Sequence, residues 1–118
     1  APGMTPLLFA AYNAHAAMCA RLLAARADVR ARSRMPVMLE PIHMAATQGR
    51  GYGAAESAVP VLVAGGANVN AAVGVFTVAG LAVGKRVTPL HVAAYANNAA
   101  GIEELLACGA DPSLCCRW

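Results

Sequence analysis

The sequence predicts an all-α solenoid of three helix–turn–helix units joined by β-turn or hairpin fingers. Two observations carry this prediction. A motif at 5–11, TPLLFAA, returns at 88–94 as TPLHVAA and, in degraded form, at 40–46 as EPIHMAA. In the first and third copies the opening threonine also precedes a later alanine, Ala27 or Ala110, by the same number of residues. Identical internal spacing in two copies indicates a repeated structural unit.

Each motif has the composition of a helix start. Thr5 and Thr88 are good N-cap residues, because a threonine oxygen can accept a hydrogen bond from a free amide of the first turn. Pro6 and Pro89 follow at the first helical position, where the missing amide hydrogen costs nothing. Paired alanines, which favour helix and leave room for a second helix to pack closely, complete the motif: Ala10-Ala11, Ala45-Ala46 and Ala93-Ala94.

A second helix is predicted downstream of each motif. Its apolar residues are spaced by three and four positions and therefore line one helical face. They are Cys19, Leu22 and Leu23 in the first copy and Ile102, Leu105 and Leu106 in the third.

The residues that end these second helices differ between copies. Gly66 and Gly109 fit the left-handed conformation that commonly follows a helix. Arg26 stands in that place in the first copy. A residue with a Cβ atom adopts this conformation at a cost, so we expect a more strained exit turn there.

Together these features resemble ankyrin repeats, whose unit has a period of about 33 residues and a T-P-L-H-x-A signature. The likeness covers nearly the whole chain. It implies one domain over 1–118, with repeats at approximately 5–37, 40–77 with insertions, and 88–118. It also implies that His43 and His91, at the fourth motif position, have a structural role in bonding adjacent repeats.

Two insertions lengthen the distance between motifs. The gaps exceed the period of about 33 residues by roughly 2 and roughly 15. Five extra residues fall inside the second repeat, where the glycine-rich segment 50–54 predicts a longer turn. If Ser57 is the following N-cap, Pro60 lies in the first helical turn, where a proline does no damage.

The other extra residues lie in the finger before the third repeat. Segment 72–83 is apolar, contains glycines and has loosely alternating valines, which predicts an extended β-ribbon. Its apolar part is shorter than the roughly 20 residues that a membrane span requires. We expect no membrane span, and a finger packed either on itself or on a partner.

Composition argues against several functions. The net charge of +3 is carried by few residues, which disfavours a general nucleic-acid binder. The four cysteines form no C-x-x-C pair, so no metal or disulfide is expected, and reduced thiols favour the cytoplasm or nucleus. No serine lies in a recognisable nucleophile context, and we expect neither a cofactor nor enzymatic activity.

The resemblance implies a concave binding surface made of the fingers and the first helix of each repeat. The family's variable contact positions include, in this chain, Tyr12, Asn13, Thr47, Gln48 and Tyr95. Tyrosine is a common interface anchor, since it combines a large area with a polar tip. The open alternative is that both tyrosines only cover helix surface.

Three arginines alternate along the first finger. Arg30, Arg32 and Arg34 point to the same side if the segment is extended, and could meet an acidic partner. The alternative is a solvated face. We expect Arg32→Ala to change the free energy of unfolding by less than about 0.5 kcal/mol.

The resulting hypothesis is a non-enzymatic scaffold or adaptor that binds another protein. The alternative is a regulatory or targeting region of a larger enzyme or transporter whose catalytic part lies outside this chain. A third interpretation, a decayed repeat, arises because Glu40 stands in the capping position.

Overall fold

The computed structural model describes residues 4–13, 15–33, 39–48, 58–78 and 81–115, of which 48, 74–78 and 81–85 are described by their backbone alone. This part of the chain contains six helices and two strands. In chain order they are α1 (Pro6–Tyr12), α2 (Ala16–Ala24), α3 (Pro41–Gln48), α4 (Val59–Ala64), β1 (Val73–Val78), β2 (Leu81–Val87), α5 (Pro89–Tyr95) and α6 (Ala99–Ala107).

The helices form two parallel rows. Helices α1, α3 and α5 lie side by side as an inner row, and α2, α4 and α6 lie side by side as an outer row. Each inner helix packs on the outer helix that follows it, and the apolar core lies between the rows. This arrangement confirms the predicted helical repeat array.

The predicted caps of the first and third units are present. Thr5 Oγ1 accepts a hydrogen bond from the Leu8 amide at 3.2 Å. Thr88 Oγ1 accepts from the His91 amide at 3.5 Å, and the Thr88 amide donates to His91 Nδ1 at 3.0 Å. This reciprocal capping box satisfies two helix-terminal amides at once.

The turns that follow the outer helices have the expected backbone. Gly66 and Gly109 have φ values of 104° and 94°, and Arg26 adopts φ 67° at the same position of the first unit. Arg26 therefore bears the strain predicted for a side chain in the left-handed region.

Helix α4 begins one residue later than predicted. Its N-cap is Ala58, and Pro60 lies in the first turn as expected; Ser57 and the segment 50–54 lie outside the described residues. Ala58 has no side-chain oxygen and is fully buried, so the N-cap residue itself provides no side-chain cap.

The predicted ribbon is present and longer than expected. Strands β1 and β2 pair antiparallel from Val73↔Val87 to Val78↔Leu81, with an irregularity between Phe76 and Thr77. Val73 and Val87 are buried, so the base of the ribbon belongs to the core and leads directly into the third repeat. None of the described helices is long and apolar enough to span a bilayer.

The outer helices bury the predicted face in part: Leu106, which the spacing places on that face, is 43% exposed. Leu105 and Cys19 are completely buried, and Leu22 is half-buried. Burial raises the pKa of the Cys19 thiol to about 11, which keeps it protonated and agrees with its predicted role as a small buried hydrophobe.

Candidate interaction surface

The C-terminal ends of the inner helices form a row of equivalent positions. Tyr12 ends α1, Thr47 lies one residue before the end of α3, and Tyr95 ends α5. Alignment of the three motifs places these residues at one position of the repeat. The side chains of Tyr12 and Tyr95 are 44% and 57% exposed, which confirms that neither is a core residue.

The centre of this row is small and polar. Thr47 is half-buried, and its hydroxyl donates to the Met44 carbonyl at 2.7 Å within the same helix. Adjacent helices pack about 8–10 Å apart, so the two tyrosines lie roughly 16–20 Å apart across Thr47. The exposed side chains of Tyr12 and Tyr95 thus lie on either side of the smaller, half-buried Thr47.

Two further predicted contact residues lie beside this row. Asn13 is exposed, and its side-chain amide donates to the Phe9 carbonyl at 2.9 Å, so it also closes the last turn of α1. Gln48 is the last residue of α3, and its side chain is outside the described part, as is all of Arg34.

The remaining two arginines form ion pairs with one buried carboxylate. Arg30 Nε lies 3.2 Å from Glu40 Oε1, and Arg32 Nη2 lies 3.3 Å from Glu40 Oε2. The Glu40 side chain is 1% exposed, whereas the arginine side chains are 51% and 40% exposed. A buried carboxylate requires such partners, because its charge has lost its hydration.

These pairs change the interpretation of the first finger. Arg30 and Arg32 do point the same way, as their spacing predicts, but they are directed to Glu40 and are not simply solvated. Because Arg32 is a partner of a buried charge, a nearly neutral effect of Arg32→Ala is not expected. Glu40, which suggested a decayed repeat, has specific partners in this structure.

His43 lies one helical turn after Glu40 and connects two parts of the array. Its Nε2 is 2.8 Å from the Ala71 carbonyl and 3.2 Å from the Val87 carbonyl, so this nitrogen carries the hydrogen and donates. The bond to Val87 reaches the strand that enters the third repeat. His43 therefore has the bridging role that the resemblance implies.

The other ring nitrogen of His43, Nδ1, lacks the hydroxyl contact that Nδ1 of the equivalent His91 makes. His91 Nδ1 lies 2.8 Å from the hydroxyl of Thr88, the capping residue of its helix. At the equivalent place of the second repeat stands Glu40, and His43 Nδ1 is buried without a hydrogen-bond partner within the described part of the chain. Because Glu40 stands where the third repeat has Thr88, the second repeat differs from the third both in its capping residue and in the hydrogen bonding of its histidine.

We expect His43 to make folding sensitive to acid. Burial lowers the pKa of His43 to about 4, although the Ala71 and Val87 carbonyls and the Glu40 carboxylate act in the opposite direction. An unfolded histidine has a pKa of about 6.5. Between these values the unfolded chain binds the extra proton, so stability is complete above pH 6.5 and falls as the pH decreases toward 4.

Urea unfolding at a series of pH values measures this effect. One proton corresponds to a slope of at most about 1.4 kcal/mol per pH unit. His43→Gln keeps an amide donor but cannot titrate, so its slope in this window should be smaller by that amount. Equal slopes in the two proteins would show that His43 does not titrate with folding.

The sequence alone did not reveal the cluster of Glu40, Arg30 and Arg32, called here the Glu40 cluster. Its only signal was an acidic residue at a capping position downstream of alternating arginines, and nothing in that pattern specifies that the finger folds back on it. The exposure of Tyr12 and Tyr95, by contrast, follows from their position in the repeat.

Comparison with known families agrees with this architecture. A family model described as ankyrin repeat matches residues 2–34 and 86–117, which together make up more than half of the chain. The matched segments contain the first and third motifs. No significant relative was found among curated protein sequences.

Proposed function

Because the chain belongs to the ankyrin repeat family, whose repeats are generally protein–protein interaction modules, we propose that it binds a partner protein through the row formed by Tyr12, Thr47 and Tyr95. The observation that carries the proposal is the exposure of two tyrosines at equivalent positions, two repeats apart, on the same row of helix ends. Each offers a large apolar ring with few rotatable bonds, which favours its use as an anchor.

The geometry of the row suggests the form of the partner. A distance of roughly 16–20 Å corresponds to about five or six residues of extended chain. It also corresponds to about 11–13 residues of helix. We propose a peptide segment of one of these kinds, with an apolar or aromatic side chain near each tyrosine and a small contact over Thr47.

The arginines of the first finger have a secondary role in this proposal. Arg30 and Arg32 remain about half exposed while paired with Glu40. Acidic residues in the partner would be attracted to this edge, with more effect on the association rate than on the lifetime of the complex.

An intracellular location, in the cytoplasm or nucleus, is part of the proposal. Its support is chemical: Cys19, Cys108 and Cys115 are all free thiols. Free cysteines are common in reducing compartments, whereas secreted domains tend to pair them. No catalytic step is assigned to this segment.

Selection from a library of random peptides against the immobilised protein tests the proposed surface. Peptides obtained with the wild-type chain are measured by fluorescence anisotropy against Tyr12→Ala and Tyr95→Ala. Each substitution should weaken binding at least about fivefold, the effect of losing a contact worth about 1 kcal/mol. The helical signal should not change, because both side chains project out of the stack.

Leu106→Ala is the matched control. Leu106 is 43% exposed and lies on the outer helix α6, away from the proposed row. It should bind the selected peptides as wild type does. Peptides that bind both tyrosine variants normally would exclude this surface and favour another, such as the β1–β2 ribbon.

A further inference from the structure

The ribbon of β1 and β2 differs from the first finger in its distribution of charge. Residues 73–84, which form most of the ribbon, contain no charged side chain and are mainly valine, glycine and alanine, with one phenylalanine and one leucine. Lys85 and Arg86 follow directly, near the end of β2. The first finger, by contrast, has Arg30 and Arg32 within its length. Charge in the ribbon is therefore confined to one end.

The strand register places the uncharged part far from the helices. Val73 and Val87 pair at the base and are buried in the core, whereas Val78 and Leu81 pair at the tip. The main contact of the ribbon with the helices is between β2 and α5, which directly follows it. At about 3.3 Å per residue, β2 is roughly 20 Å long. The uncharged tip therefore projects from the helical array.

The two basic residues lie between the tip and the core. Lys85 pairs with Val75, and it lies about 13 Å along β2 from Leu81 at the tip. Arg86 is exposed and immediately precedes the buried Val87. An uncharged segment, a basic segment and a buried base thus follow one another along the ribbon.

The Glu40 cluster adds positive charge near the ribbon base. Arg30 and Arg32 both contact the Glu40 carboxylate. One helical turn later, His43 Nε2 donates to the carbonyl oxygen of Val87 at 3.2 Å, which connects this part of α3 to the end of β2. Both arginine side chains are about half exposed and Glu40 is buried, so the exposed charge of the cluster is positive.

We propose that the ribbon tip docks on an anionic lipid surface. An apolar tip gains free energy when it leaves water. Apolar faces of peripheral segments enter the boundary between headgroups and acyl chains by about 5–10 Å. With the tip at that depth, Lys85, about 13 Å from Leu81, lies at the level of the negatively charged headgroups. Because the ribbon does not span the bilayer, its strand edges keep contact with water and headgroups.

Charge complementarity favours a lipid surface over other occupants. A second copy of the chain offers an equally apolar tip, but it carries the same Lys85 and Arg86, which repel when two ribbon bases approach. An anionic membrane offers an apolar interior below a negative surface, in the order in which the ribbon presents its uncharged and basic segments. This surface does not include the row formed by Tyr12, Thr47 and Tyr95.

Co-sedimentation with lipid vesicles tests the tip. The wild-type chain should bind vesicles of phosphatidylcholine mixed with phosphatidylserine, and bind pure phosphatidylcholine vesicles much more weakly. Leu81→Glu should lower the partition coefficient at least about tenfold, because a carboxylate replaces an apolar side chain at the tip. Leu106→Glu makes the same change at a 43% exposed position of α6 and should bind as wild type does.

A second variant tests the charge. Lys85→Gln with Arg86→Asn removes both positive charges, and asparagine tolerates the left-handed backbone of Arg86, whose φ is 58°. Each basic residue near an anionic surface contributes a factor of about five, so this variant should lose roughly 25-fold in binding to the mixed vesicles. Its binding to pure phosphatidylcholine should change little. Added salt should weaken binding of the wild-type chain to the mixed vesicles.

Three outcomes would overturn the proposal. The first is a wild-type chain that does not bind the mixed vesicles. The second is equal binding by Leu81→Glu and Leu106→Glu. The third is association of the chain without lipid that Leu81→Glu abolishes, in place of vesicle binding, which would identify a second copy as the occupant. The variant with Tyr12→Ala and Tyr95→Ala should bind vesicles normally, which separates this proposal from peptide binding.

Discussion

Replacing Leu105 with alanine should lower the free energy of unfolding by about 2–5 kcal/mol. Leu105 is completely buried in α6, the outer helix of the third repeat. The substitution removes buried methyl groups and leaves a cavity that neighbouring helices can fill only in part. Urea unfolding followed by circular dichroism measures the loss.

The adjacent residue supplies a control with the same chemistry. Leu106 belongs to the same helix but is 43% exposed. Leu106→Ala should therefore cost less than about 1 kcal/mol, because nearly half of this residue's surface is already in contact with water. Similar losses for the two variants would mean that the helical register is wrong.

The second large effect is expected from the first finger. Removing both arginines, as Arg30→Ala with Arg32→Ala, leaves Glu40 buried without a counter-charge. Loss of the partners of a buried charge costs about 3–5 kcal/mol. We expect about 3 kcal/mol, the lower end, because the arginines are about half exposed and their pairs are partly screened. Arg32→Ala alone should exceed the roughly 0.5 kcal/mol typical of a surface substitution.

A third substitution in the same background separates charge burial from simple loss of packing. Glu40→Thr removes the carboxylate and introduces the residue that caps α1 and α5 through Thr5 and Thr88. The triple variant should recover most of the lost stability, and the threonine can also approach His43 Nδ1. If the double variant is as stable as wild type, or the triple variant shows no recovery, Glu40 is not held by its charge partners.

These variants also mark what the sequence could and could not predict. Local rules were sufficient for the caps at Thr5 and Thr88 and for the buried face containing Leu105, since propensity, capping and periodicity agree there. They placed the N-cap of α4 one residue too early, at Ser57 instead of Ala58. They also missed the Glu40 cluster, because its partners come from another part of the chain and only the folded finger brings them together.

The different exposure of Phe9, Met44 and Val92 was beyond local rules for another reason. Phe9, Met44 and Val92 all read as ordinary apolar residues of a motif. Whether each is covered depends on the neighbouring repeat and not on its own segment. Only the comparison of equivalent positions within the folded array distinguishes Phe9 from the other two.

The caps at Thr5 and Thr88 and the ion pairs of Glu40 have different consequences for cooperativity. Thr5 and Thr88 satisfy their helices with atoms of their own repeat, which contributes to the intrinsic stability of that repeat. The buried Glu40 carboxylate depends on Arg30 and Arg32 of the first finger. In a one-dimensional description of the array, these ion pairs therefore contribute to the interaction between the first and second repeats and not to the stability of one repeat. The middle repeat is thus coupled to the first through Glu40, as it is to the third through the hydrogen bond from His43 to Val87. An array coupled at both junctions should unfold in one transition and not repeat by repeat.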